Sequence, residues 1–142
     1  MSRGQYPATR MRRNRMKSFS RRLVAETILS VDDLIWPMFV IEGSNAAEPV
    51  ESMPGVERHT IDRLVAQAAI AVELGVPVIA IFPSIDAALK DEDGSLARDG
   101  NNLVCRAARA VKDAHPDLGI MCDVALDPVS YTHLRAHETQ SD

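Results

Sequence analysis

An α/β fold with a parallel sheet is what the order of apolar patterns in this chain predicts, and three observations carry that prediction. Val76-Pro77-Val78-Ile79-Ala80-Ile81-Phe82-Pro83 is a continuous apolar run of strand length, as expected of a parallel strand covered on both faces. Segments of helical periodicity lie on either side of it, and two further strand-like runs lie outside those. Each connection is long enough to cross over and join parallel neighbours.

In chain order, Ser30-Val31-Asp32-Asp33-Leu34 reads as a turn or short helical start with acids near its beginning. Leu34-Ile35-Trp36-Pro37-Met38-Phe39-Val40 follows as a first strand, rich in β-branched and aromatic residues. Pro37 allows a central position only where no ladder hydrogen bond is needed. Glu42 to His59, with Gly43, Pro49, Pro54 and Gly55, reads as a long loop. Thr60 then caps a helix, and Asp62 in its first turn suits the helix dipole. Ile61, Leu64, Val65, Ala68 and Val72 mark its apolar face, and Gly75 stops it. The second strand, Val76 to Pro83, leads into Lys90-Asp91-Glu92-Asp93-Gly94-Ser95, a solvated turn whose acids do not have calcium-loop spacing. Asn101 or Asn102 starts a second helix through Leu103, Val104, Ala107, Ala108 and Val111, which His115-Pro116 ends. Gly119 to Leu126 is the third strand.

The 142 residues, 46% of them hydrophobic, fit one ordinary domain or part of a larger one. No apolar run approaches the roughly 20 residues of a membrane span, and no signal-peptide core follows the basic start. A soluble, cytoplasmic protein with no membrane partner is expected. Cys105 and Cys122 have neither disulfide-framework nor metal-site spacing and read as buried free thiols. The net charge of −4 conceals an asymmetry: residues 1–22 hold eight of the 16 basic residues and none of the 20 acids, leaving −12 on the rest. A basic arm on an acidic body could meet nucleic acid or a membrane surface, serve as an organellar targeting segment, or lie against an acidic partner subunit.

Chemistry points to the third strand. Side chains alternate along a strand, so Asp123, Ala125 and Asp127 share one face and Cys122, Val124 and Leu126 the other. Ligands of α/β proteins gather at the carboxyl ends of parallel strands, and a carboxylate buried there needs a partner or a shifted pKa. Asp123 is a candidate for binding an ammonium group, binding a metal or moving a proton; it could equally cap a loop or pair with an arginine. Asp127, before Pro128, also suits a plain turn. His59, His115, His133 and His137 form no zinc pattern and suit surface or helix-end roles. Phosphate-binding glycine loops and a nucleophile elbow are absent.

Several ordered words resemble the N-terminal part of the porphobilinogen synthase (5-aminolevulinate dehydratase) family. They are Arg12-Arg13 with Arg21 to Thr27, Asp33 to Val40, Ser52-Met53-Pro54-Gly55-Val56, Leu89-Lys90-Asp91, Asn102-Leu103-Val104 and Asp123 to Pro128. The resemblance implies a lyase that condenses two 5-aminolevulinate molecules into a pyrrole for tetrapyrrole and heme biosynthesis. It implies a (β/α)₈ TIM barrel behind an N-terminal arm, in a cytosolic homo-oligomer usually built as an octamer, with no nucleic-acid partner. Residues 1–29 would be the arm and 30–128 about the first three of eight barrel units. In this family two active-site lysines do the covalent work, one or both forming Schiff bases with substrate; an imine acidifies the adjacent carbon, and a desolvated lysine is nucleophilic near neutrality. Neither lysine is expected in this chain. Asp123 matches the family's active-site aspartate. Where zinc-dependent members have cysteines this chain has Ala125 and Asp127, so catalytic Zn²⁺ is not supported. It resembles instead the members that use Mg²⁺ or need no active-site zinc, with Asp127 as a metal-region ligand.

The resemblance fails after Pro128. Family members continue with an aromatic residue, Thr, Ser, His and Gly, whereas this chain reads Val129-Ser130-Tyr131-Thr132-His133-Leu134-Arg135. Residues 129–142 look like a non-native tail and resemble a translated sequencing adapter. An N-terminal fragment, inactive alone, is therefore the expectation. The alternatives are a basic-armed nucleic-acid-binding module and a noncatalytic assembly subunit.

Overall fold

The computed structural model describes residues 9 and 12–123. The chain divides into two compact units, Met1–Ser30 and Val31–Asp142. In the first, two short helices, α1 (Arg13–Met16) and α2 (Ser18–Leu23), have no acid in their first turns and bury no side chain. Phe19, Leu23, Ile28 and Leu29 are exposed there.

The second unit opens with a 3₁₀ turn at Val31–Asp33, the short helical start expected there, and builds one five-stranded sheet. Its strands are β1 (Ile35–Ile41), β2 (Ala47–Pro49), β3 (Glu57–Thr60), β4 (Val78–Pro83) and β5 (Gly119–Cys122). They lie in the order β2-β3-β1-β4-β5, parallel throughout except for the β2–β3 pair. The fold is α/β with a mostly parallel sheet, as the sequence predicts. It is an open sheet among the described residues.

Two strands were not expected, because Glu42 to His59 reads as loop. The segment folds back on itself: Ala47, Glu48 and Pro49 pair antiparallel with His59, Arg58 and Glu57. The Val50 N–H donates to the Val56 carbonyl at 2.9 Å, and Gly55 adopts φ +83° inside that turn. Strands of three and four residues are too short for a period-two signal to rise above their flanking Pro and Gly.

β1 is a central strand containing a proline, and the ladder shows how. The Val40 carbonyl accepts from the Ser84 N–H at 2.8 Å, on the β4 side. Residues two apart share a direction, so Trp36, Met38 and Val40 bond toward β4 while Pro37 faces the β3 side. Pairing with β3 begins only at Phe39, two residues later. The missing N–H therefore breaks no bond.

Helix α3 (Ile61–Glu73) starts after Thr60 as expected, but the Thr60 hydroxyl caps no backbone N–H of its first turn. It bonds both N–H and C=O of Ala46 at 3.1 Å. Gly75, at φ +75°, ends the helix, with its N–H on the Val72 carbonyl and the Val76 N–H on the Ala71 carbonyl. The buried face is Leu64, Ala68 and Ala71; Val72, expected on it, is 47% exposed. At 100° per residue Ala71 lies closer than Val72 to the line through Leu64 and Ala68, and its small side chain lets the helix approach the sheet.

The second strand starts at Val78 rather than Val76, and the third is described as far as Cys122, short of the expected Leu126. Between them, α4 (Leu103–Ala114) presents Leu103, Ala107 and Val111 inward. These side chains close a core with Met38, Val40, Ile79, Ile81, Leu64, Ala68 and Ala71. Burying a residue such as Ile79 or Leu64 completely contributes roughly 1.5–3 kcal/mol. Lys112 donates to the Pro116 and Leu118 carbonyls at 3.0 and 2.7 Å, and the Gly119 N–H to the Pro77 carbonyl at 2.9 Å, which brings β5 alongside β4.

Candidate active site

Because β1, β4 and β5 are parallel, their carboxyl ends lie at one end of the sheet, and each is followed closely by a carboxylate: Glu42, Asp86 and Asp123. Asp123 comes directly after β5 and is exposed, outside the strand in which the sequence placed it. Its alternation with Ala125 and Asp127 concerns residues outside those described, as do Asp127, His133, His137 and the tail at 129–142.

Beside these strand ends opens a cleft of about 700 Å³ whose walls include Ile41, Glu42, Ser84, Asp86, Asn102 and Arg106. Local bonds build it. Asn102 caps α4, its Oδ1 accepting from the Cys105 N–H at 2.8 Å and its Nδ2 donating to the Leu96 carbonyl at 3.2 Å. Asp86 and Asp99 each accept a backbone N–H two residues on, from Ala88 at 2.9 Å and Asn101 at 2.8 Å. The Arg106 guanidinium joins the Glu42 carboxylate and donates to the Asn101 carbonyl at 2.9 Å, so the end of β1 is tied to α4. Most polar groups here are committed to holding the loop. Asp123 is not in the cleft wall.

Two acids elsewhere titrate low. The Thr60 hydroxyl and the Asn45 N–H hold Asp62 below the usual carboxylate range, and the Ser95 hydroxyl and N–H do the same for Asp91. The acidic segment 90–95 is thus a closed turn, with Gly94 in the left-handed region at φ +59°.

His59 departs from the surface role expected of it: it is 8% exposed and its Nδ1 has no hydrogen-bond partner among the described residues. His115 does end a helix, its Nε2 lying 3.3 Å from the Val65 carbonyl. The cysteines are not buried either. Cys105 is half-buried and Cys122 exposed, and partial burial, followed by the neighbouring Cys105, pushes the Cys122 thiol up. Among the described residues no group of three or more His, Cys, Asp or Glu side chains is arranged to hold a metal.

The family model for delta-aminolevulinic acid dehydratase matches residues 8–137. The chain belongs to that family. A delta-aminolevulinic acid dehydratase of Bradyrhizobium diazoefficiens is 53% identical over 121 residues, covering 85% of this chain and 34% of the relative. One from Chlamydia pneumoniae is 40% identical over 87% of this chain and 37% of its own length. The crystal structure of the Toxoplasma gondii ME49 dehydratase, porphobilinogen synthase in complex with its reaction product porphobilinogen, superposes with a TM-score of 0.77 at 35% identity. It covers 87% of this chain and 35% of the Toxoplasma chain. The chain spans about a third of the length of the curated relatives it matches. The dehydratase family is one of lyases acting on 5-aminolevulinate.

Within this family frame, the cleft residues Glu42, Asp86 and Arg106 are what sequence reasoning missed. A legible signal existed: a charged residue follows shortly after each apolar strand. Asp123, the candidate named from the sequence, stands at a strand end but outside the cleft wall, whereas Glu42 opens a segment that reads as loop.

Proposed function

We propose that this chain supplies the N-terminal third of a porphobilinogen synthase, which joins two molecules of 5-aminolevulinate into porphobilinogen with loss of water. The observation that carries the reading is the family match over residues 8–137. The parallel order of β1, β4 and β5 supports completion into a (β/α)₈ barrel, in which these would be the first three barrel strands. The exposed apolar residues and basic charge of the first unit suit an arm that packs on another copy in a cytoplasmic homo-oligomer.

In this reading Asp123 acts at the open end of β5, its carboxylate holding the substrate ammonium group or taking a proton from it. Glu42, Arg106 and Asn102 hold the neighbouring loop and act only through position. The lysines that form Schiff bases belong to sequence that this chain does not contain, so the 142 residues alone are inactive. Asp127 is the residue proposed for a metal region. One carboxylate suits Mg²⁺ only with waters and further oxygen donors, and no step is assigned to the ion.

The test is a chimera. Residues 1–128 replace the matching segment of the Bradyrhizobium diazoefficiens relative, and pyrrole formation from 5-aminolevulinate is assayed. The chimera is expected to turn over, the 142-residue chain is not, and Asp123→Ala in the chimera should lower kcat/KM by about 100-fold or more. A folded chimera without pyrrole formation, or an Asp123→Ala chimera of unchanged rate, overturns the reading.

A further inference from the structure

Cys105 and Cys122 are 17 positions apart, yet the topology brings them to one end of the sheet and onto one layer. α4 leaves the carboxyl end of β4 and returns the chain to the amino end of β5, so its first turn, with Cys105, lies toward the carboxyl ends of the strands. Cys122 is the last residue of β5, at that same end. It stands in register with Ile81, and in-register partners share a face of the sheet. Ile81 is 1% exposed in the core that Leu103 and Ala107 of α4 close. Cys122 therefore points into the α4 layer. Cys105 is, after burial, a cause of the raised Cys122 thiol, which agrees with that placement.

We propose that Cys105 and Cys122 form a redox-active pair, closing to an intramolecular disulfide on exchange with a small-molecule disulfide. Their accessibilities set the order of events. Cys122 is exposed and meets the reagent; Cys105 is half-buried and resolves. The Cys122 thiolate attacks one sulfur of oxidised glutathione, forming a mixed disulfide and expelling one glutathione thiolate. Cys105, deprotonated, then attacks the Cys122 sulfur and expels the second glutathione thiolate. The protein loses two protons and two electrons, and the glutathione disulfide takes up both electrons as two thiols. The product bond ties the first turn of α4 to the end of β5, one residue before Asp123.

The 142-residue chain is incubated with oxidised glutathione across a pH series, quenched in acid, and examined by thiol titration under denaturing conditions and by intact mass. The expected result is loss of both thiols, a mass lower by two hydrogens with no glutathione attached, and reversal by dithiothreitol. Because the thiolate is the attacking species, the rate should climb about tenfold per pH unit below the Cys122 pKa, which burial raises. Cys105→Ser should arrest the reaction as a stable glutathione adduct on Cys122, and Cys122→Ser should react more slowly. A wild-type protein that stops at the Cys122 adduct, or forms only Cys122–Cys122 dimers, overturns the proposal. Circular dichroism before and after oxidation excludes unfolding as the source of the linkage.

Discussion

Gly119 shows how much one side chain can decide. A Cβ there would lie 2.8 Å from Val78 Cγ2 and 3.0 Å from the Pro77 carbonyl oxygen, and that oxygen is fixed because it accepts the Gly119 N–H. Gly119→Ala should therefore cost about 1–3 kcal/mol, the usual range for overpacking. The measurement is the urea midpoint. Gly55→Ala is a control for crowding, because nothing lies within 4 Å of its Cβ position, although its φ of +83° makes the alanine strained for a different reason. At the same scale, the position of Asp123 at the end of an apolar run was legible, and it stands directly after β5. The Thr60 hydroxyl was not: the cap position was right, but the partner, Ala46, is brought near by a hairpin too short to signal itself.

At the scale of elements, α4 depends on Asn102. Its Oδ1 satisfies the Cys105 N–H, and its Nδ2 pins the Leu96 carbonyl of the preceding loop, so one side chain starts the helix and closes the loop. Asn102→Ala should cost about 1 kcal/mol, with Asn102→Asp recovering most of the cap. Hydrogen exchange at Cys105 and Arg106 should accelerate in the alanine variant and stay slow at Val111, which faces the core. Both long helices could be read from the sequence because 12 or 13 residues give a 3.6-residue period room to repeat. The α3 face was assigned with Val72 in place of Ala71 because hydrophobicity ranks valine above alanine, whereas close helix-on-sheet packing rewards the smaller side chain.

For the whole molecule, the −12 carried outside residues 1–22 makes acid the informative perturbation. Asp62 and Asp91 have folded pKa values lowered from 3.8, so each favours the folded state above its unfolded pKa, and that contribution disappears as pH falls through the folded value. Asp62 is exposed and Asp91 only half-buried, so solvent screening keeps the effect modest. The urea midpoint should fall as the pH is lowered below about 5, and Asp62→Asn should flatten that dependence while lowering stability at neutral pH. A variant with the wild-type slope would assign the acid sensitivity to other carboxylates. The α/β class was legible at this scale because Val76 to Pro83 has no polar face, which only a strand covered on both sides tolerates.

Pro37 bears on how the chain avoids joining its own kind. The β1 edge beyond the β3 pairing is a row of backbone groups that a stray strand could copy, the first step toward fibrils. A strand arriving there would find a pyrrolidine ring where it needs a donor, with bulky Trp36 and Met38 on either side. Only a mate that does not bond at that rung can stay. During synthesis, before any covering segment has left the ribosome, one imino acid would keep this seam closed to unrelated strands.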